Sequence, residues 1–104
     1  MKRTLEKITD YIVYLADPES IILFGSQARG EGTAYSDIDL LVISENIAGR
    51  NYIAKQVRAF AGELSMKTDI LIRNRSEIEN ASRDPFSFLA AVYKEGKIIY
   101  KKTA

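Results

Sequence analysis

The chain has 104 residues, with 15 Lys+Arg against 14 Asp+Glu for a formal charge of +1, and it contains neither cysteine nor histidine. That length, 46% hydrophobic and 28% charged residues suit one soluble globular domain over 1–104, and near-neutrality argues against nucleic-acid binding driven by bulk charge. Without cysteine there is no disulfide, zinc ribbon, iron–sulfur cluster or thiol nucleophile, and without histidine no Ser-His-Asp triad, HExxH zinc site or imidazole base.

Charges interrupt the N-terminal stretch MKRTLEKITDYIVYL, so it does not read as a secretion signal, and no apolar run is long enough to span a membrane. A cytoplasmic location is expected. From about Thr4 to Ala16, Leu5, Ile8, Tyr11 or Ile12, and Leu15 recur at helical spacing, and Asp17-Pro18 ends the helix. Glu19 to Phe24 reads as a short buried strand stopping at Gly25. Gly25 to Tyr35 is a glycine-rich turn region, with one short helical turn from Ser26. Asp37 to Ser44 is a second strand, whose nearly continuous apolar character suits a sheet covered on at least one face.

A second helix is expected over Asn51 to Leu64, with Ile53, Val57, Phe60, Ala61 and Leu64 on one stripe. Met66 to Arg73 is a third strand, and Arg75 to Arg83 a short helix or a loop. The last helix is expected to start with its cap near Asp84, Pro85 in its first turn, and to stop at Gly96. Lys97 to Lys101 closes the chain as a strand. The order implies an α/β (α+β) domain, a small mixed sheet flanked by helices.

The chemistry concentrates in Gly25-Ser26-Gln27-Ala28-Arg29-Gly30-Glu31-Gly32-Thr33-Ala34-Tyr35-Ser36-Asp37-Ile38-Asp39. Gly25 permits a tight turn and close backbone approach, and the exposed N–H groups with the Ser26 hydroxyl can hold an anion. Asp37 and Asp39 stand two apart at the start of a strand, which puts both on one face, roughly 6.5–7 Å apart at Cα. Asp69 is charged among apolar neighbours in the next strand. If the two strands pair, three carboxylates cluster. At ~5 Å and an effective dielectric of ~20, each like-charge pair costs about 3 kcal/mol. Set against a total stability of ~5–15 kcal/mol, that calls for a compensating cation. Oxygen-only ligands favour Mg²⁺ or Mn²⁺ over zinc, and Mg²⁺ commonly shares its coordination with substrate phosphates. A calcium EF-hand loop is excluded, because Leu40, Leu41 and Val42 stand where oxygen ligands are needed.

Gly-Ser, ten residues, then Asp-x-Asp, followed by Asp69 on a later strand, resembles the minimal nucleotidyltransferases of the DNA polymerase beta superfamily. Ala28-Arg29-Gly30, Ser36 and Leu40 extend the resemblance, which covers nearly the whole chain; no appended domain for recognising an acceptor is expected. It implies the polymerase beta-like fold, with Asp37, Asp39 and Asp69 as catalytic and metal-binding residues for two Mg²⁺ ions. It implies further that Gly25 and Ser26 hold the β- and γ-phosphates of ATP or another nucleoside triphosphate, that Arg29 supports the phosphates or the loop, and that Asp69 accepts the acceptor's proton. Two ions ~3.5–4 Å apart would clamp the attacking and leaving oxygens of an in-line displacement. Small stand-alone members are commonly encoded beside a helical HEPN-domain protein. The resemblance therefore implies an antitoxin that moves AMP from ATP to a hydroxyl of such a partner.

Plainer accounts stand beside these. Asp37 with Ser36 could cap a turn, Asp69 could be a salt-bridged edge residue, and Arg29 could pair with Glu31 or an aspartate. Tyr35, Tyr93 and Tyr100 read as core or rim aromatics, and Lys94, Lys97, Lys101 and Lys102 as a solvated end. The rival functions are a binding antitoxin of the same fold without turnover, and an aminoglycoside-type nucleotidyltransferase acting on a small molecule.

Overall fold

In a computed structural model, residues 2–25 and 37–103 are described. They form α1 (Lys2–Ala16), β1 (Ser20–Phe24), β2 (Ile38–Ile43), α2 (Arg50–Glu63), β3 (Thr68–Arg73), α3 (Arg75–Ser82), α4 (Phe88–Glu95) and β4 (Lys97–Lys101). The expected order is observed, and most boundaries lie within two residues of those read from the sequence, the ordinary fraying of element ends.

The strands assemble in the order β3-β2-β1-β4. β1 runs antiparallel to β2 and to β4, whereas β2 and β3 are parallel, so the sheet is mixed. A parallel pair needs a long crossover, and α2 supplies it. Side chains alternate across the strands. On one face Ile21, Leu23, Ile38, Leu40, Val42, Ile70 and Ile72 pack under α1 and α2; on the other Ile22, Leu41 and Ile43 pack under Ile78 of α3 and Val92 of α4. Both faces of the central strands are therefore covered, which explains the apolar run Leu40-Leu41-Val42-Ile43 of β2. Burying each such side chain contributes about 1.5–3 kcal/mol.

Between the two candidates for the third core position of α1, Ile12 is the buried one, in line with Ile8 and Ala16. Tyr11 is half-buried and stacks on Phe60 of α2, ring centroids 4.5 Å apart. The helix ends as expected at Asp17-Pro18. Asp17 turns into the left-handed region (φ 43°) while its N–H donates to the Val13 carbonyl at 3.1 Å.

One expectation is corrected. The last helix begins at Phe88 and its cap is Ser87, whose Oγ accepts from the Ala90 N–H. Asp84 instead closes a turn around Pro85: its carboxylate accepts from the Phe86 N–H at 2.9 Å, and its carbonyl accepts from the Ser87 N–H at 3.0 Å. Pro at the second position of a turn carries the same sequence signal as Pro in the first turn of a helix. Gly96 does stop α4, and its lack of a side chain matters. A Cβ there would collide with the Ile22 side chain and crowd the backbone oxygens of Val92 and Leu23. No helix among the described residues is long and apolar enough to cross a membrane.

Candidate active site

At one end of the sheet β1 finishes while β2 and β3 begin. The antiparallel register sets Phe24 opposite Asp39, and the parallel register sets Asp39 beside Asp69. Phe24, Asp39 and Asp69 thus form a row across three strands, with Asp39 and Asp69 in adjacent strands about 4.8 Å apart. The register is anchored by the Ile38 N–H, which donates to the Lys67 carbonyl at 2.9 Å. Asp39 shares its face with Leu41 and Ile43, so the row lies on the side that carries α3 and α4. Asp37 stands one residue ahead of β2 with the same parity. Asp37 and Asp39 are half-buried, and Asp69 is exposed at the outer strand.

Gly25 ties the glycine turn to this row. Its φ of 76° lies in the left-handed region, and a Cβ at this position would overlap the Asp39 carboxylate. Only glycine lets the backbone leaving β1 pass so close to that side chain. Ser26 and Arg29, and Tyr35 with them, lie outside the described residues.

Ion pairs among the described residues are Arg50–Glu77, Arg75–Glu19 and Lys102–Asp17, all remote from this row. No described cation forms a salt bridge with Asp37 or Asp69. The three aspartates present oxygen donors alone, the chemistry that suits Mg²⁺ or Mn²⁺. Among the described residues no group of three acidic side chains closes around a single point. The clustering expected from the sequence therefore appears as an aligned row rather than a finished cage. Such a row fits Mg²⁺, which is typically bound through one or two carboxylates and completes its shell with phosphate oxygens and water.

Beside Gly25, on the same face, opens a cleft of about 490 Å³. Phe24, Phe88, Ala91, Val92 and Glu95 form its walls, and the Phe24 and Phe88 rings meet edge-on with centroids 6.0 Å apart. Neither phenylalanine stands out in the sequence, where Tyr93 and Tyr100 read as core or rim aromatics. Tyr93 instead lies under the Arg75 guanidinium, and Tyr100 packs half-buried against the main core. The only cue is the position of Phe24, the last residue before Gly25.

Comparison with known proteins fits this geometry. Over 31 residues the chain is 64% identical to a protein of Methanocaldococcus jannaschii named "Putative protein adenylyltransferase"; the match takes in 30% of this chain and only 21% of that protein. A crystal structure from Sulfolobus solfataricus, named as a "putative nucleotidyltransferase", superposes with a TM-score of 0.65 at 20% identity, over 98% of this chain and 81% of that one. A second, named as a toxin-antitoxin with AMP-PNP, gives a TM-score of 0.61 at 21% identity, over 94% and 74% of the two chains. At such identities these two likenesses are of fold. The family model described as "Polymerase beta, Nucleotidyltransferase" matches residues 6–104, and the chain belongs to that nucleotidyltransferase family.

Proposed function

We propose that this domain moves a nucleoside monophosphate, AMP from ATP, to a hydroxyl of a protein partner, with release of pyrophosphate. The observation that carries the reading is the register that sets Asp39 beside Asp69 with the Gly25 backbone against the Asp39 carboxylate. In this reading Asp37 and Asp39 hold the divalent cations together with Asp69. Gly25 and Ser26 hold the β- and γ-phosphates, and Arg29 supports the phosphates or the loop. A divalent cation held there, Mg²⁺ or Mn²⁺, would supply charge neutralisation at the reacting phosphate and a lowered pKa at the acceptor hydroxyl. Asp69, exposed on the outer strand where an incoming partner has access, takes the hydroxyl proton. The acceptor oxygen bonds to the α-phosphorus as the bond from that phosphorus to the bridging oxygen breaks, and the electron pair leaves with pyrophosphate. The half-buried pair positions; the exposed member handles the proton.

The adenylyltransferase name of the Methanocaldococcus relative and the AMP-PNP and toxin-antitoxin named for the structural neighbour support ATP as donor and a protein as acceptor. The partner we infer is a HEPN-domain protein, which the transfer would silence, making this chain the antitoxin of the pair. The test incubates the chain with α-labelled ATP, Mg²⁺ and the protein encoded beside it. Label should pass to the partner and fall by about 10²–10³-fold or more in Asp37→Asn/Asp39→Asn, the scale of losing a transition-state charge stabiliser. Inhibition of the partner without label would establish the non-catalytic binder instead.

A further inference from the structure

We infer that the cleft between β1 and α4 is the seat of the nucleobase, held against the rings of Phe24 and Phe88. This deepens the proposed function and rests on it. Three observations select that occupant. The cleft is continuous with the candidate site, since Gly25 lines both and Phe24 stands directly opposite Asp39 in the sheet register. Among the described residues its side-chain walls are apolar and aromatic except for Glu95, a lining that favours an uncharged planar ring over a triphosphate tail. Its volume of about 490 Å³ falls in the usual range for small-molecule sites, ~300–1,000 Å³.

The rival occupant is an aromatic side chain of the acceptor. In-line displacement places acceptor and leaving group on opposite sides of the α-phosphorus. Asp69, which receives the acceptor's proton, lies on β3, whereas the cleft lies on the far side of β2, beside the Gly25 turn that takes the leaving phosphates. The acceptor thus approaches from the β3 side, and the cleft is left to the nucleotide itself. The nucleoside oxygen is equatorial to that axis. With the sheet as floor, the base leaves over the face that carries α4. Phe88 is 63% exposed and meets Phe24 edge-to-face rather than in a stack, so ring surface of Phe88 is open to a planar ligand.

The experiment measures equilibrium binding of ATP and of inorganic tripolyphosphate, each with Mg²⁺, to the whole chain and to its Phe88→Ala and Phe88→Tyr variants. Because Phe88 is mostly exposed, neither substitution endangers folding, and a melting curve checks this. Loss of one base-stacking ring should weaken ATP about tenfold, which is ~1.4 kcal/mol, and leave tripolyphosphate unchanged. Phe88→Tyr, which keeps the ring, should bind ATP as the parent does. Unchanged ATP affinity in Phe88→Ala, with the parent chain binding both ligands, overturns the cleft assignment alone. The same holds if only the KM for the protein acceptor rises, which would give the cleft to the acceptor. Failure of the parent chain to bind either ligand overturns the proposed function and the cleft together.

Discussion

The two ends of the sheet treat charge in opposite ways. At the end where β2 and β3 finish, carboxylates are matched. Glu19 meets Arg75, Asp17 meets Lys102, Glu45 accepts from the Arg75 backbone N–H, and Glu77 takes two hydrogen bonds from Arg50 at 2.9 and 3.0 Å. Glu77 and Asn74 also close a reciprocal cap on α3, and the buried Ser44 hydroxyl donates to the Ala16 carbonyl. At the other end Asp37, Asp39 and Asp69 line up along one face, and no described cation bridges to Asp37 or Asp69. One end spends its polar groups on holding helices to the sheet. The other gathers acidic groups on one face of the sheet.

The contrast can be broken first at Gly25. Gly25→Ala imposes a side chain on a left-handed residue and on the Asp39 carboxylate at once. It should destabilise the chain by about 1–2 kcal/mol or more and abolish nucleotide binding, read by thermal melting and by titration with Mg²⁺ and ATP. Retention of binding would separate the turn from the acidic row. A smaller effect is expected at the paired end. Asn74→Ala removes the α3 cap and should cost about 1 kcal/mol in chemical denaturation while leaving ATP affinity unchanged.

The smallest effect concerns pH. Burial pushes the Glu77 carboxyl up, but hydrogen bonds from the Asn74 backbone and the Arg50 side chain together hold it below the usual glutamate value. A depressed folded value means that the unfolded chain binds the proton more readily. The stability from Glu77 is therefore complete above the unfolded glutamate value of about 4.3 and is lost as pH falls below it. Denaturation midpoints of the parent chain and Glu77→Gln should converge as pH drops through that window. A gap that persists at the acid end would remove Glu77's charge from the account.

Much of this was legible in the residues, and the rest was hidden for identifiable reasons. Periodicity marked α1, α2 and the strands, because apolar side chains must face the core at fixed spacing. The Gly25, Asp37 and Asp39 spacing pointed to one site, since the chemistry needs a turn and two acids on a strand. Pairing was not legible. Nothing in β3 announces that it lies parallel to β2 in the register that brings Asp69 to Asp39. The cap at Ser87 was missed because Asp84-Pro85 carries a turn signal identical to a helix start. The cleft was missed for a third reason. Phe24 and Phe88 meet only because Gly96 lets the end of α4 settle on β1, a long-range contact that no local pattern records.

The comparison of the two ends is tested most directly by paramagnetic broadening of backbone amide resonances when Mn²⁺ and ATP are added to the whole chain. The amides of Gly25, Ile38, Asp39 and Asp69 should broaden strongly, and those of Glu19, Ser44 and Arg75, at the far end of the same strands, should keep their intensity. Equal broadening at both ends, or broadening centred on Glu19 and Glu45, would contradict the assignment of the aspartate row as the nucleotide site.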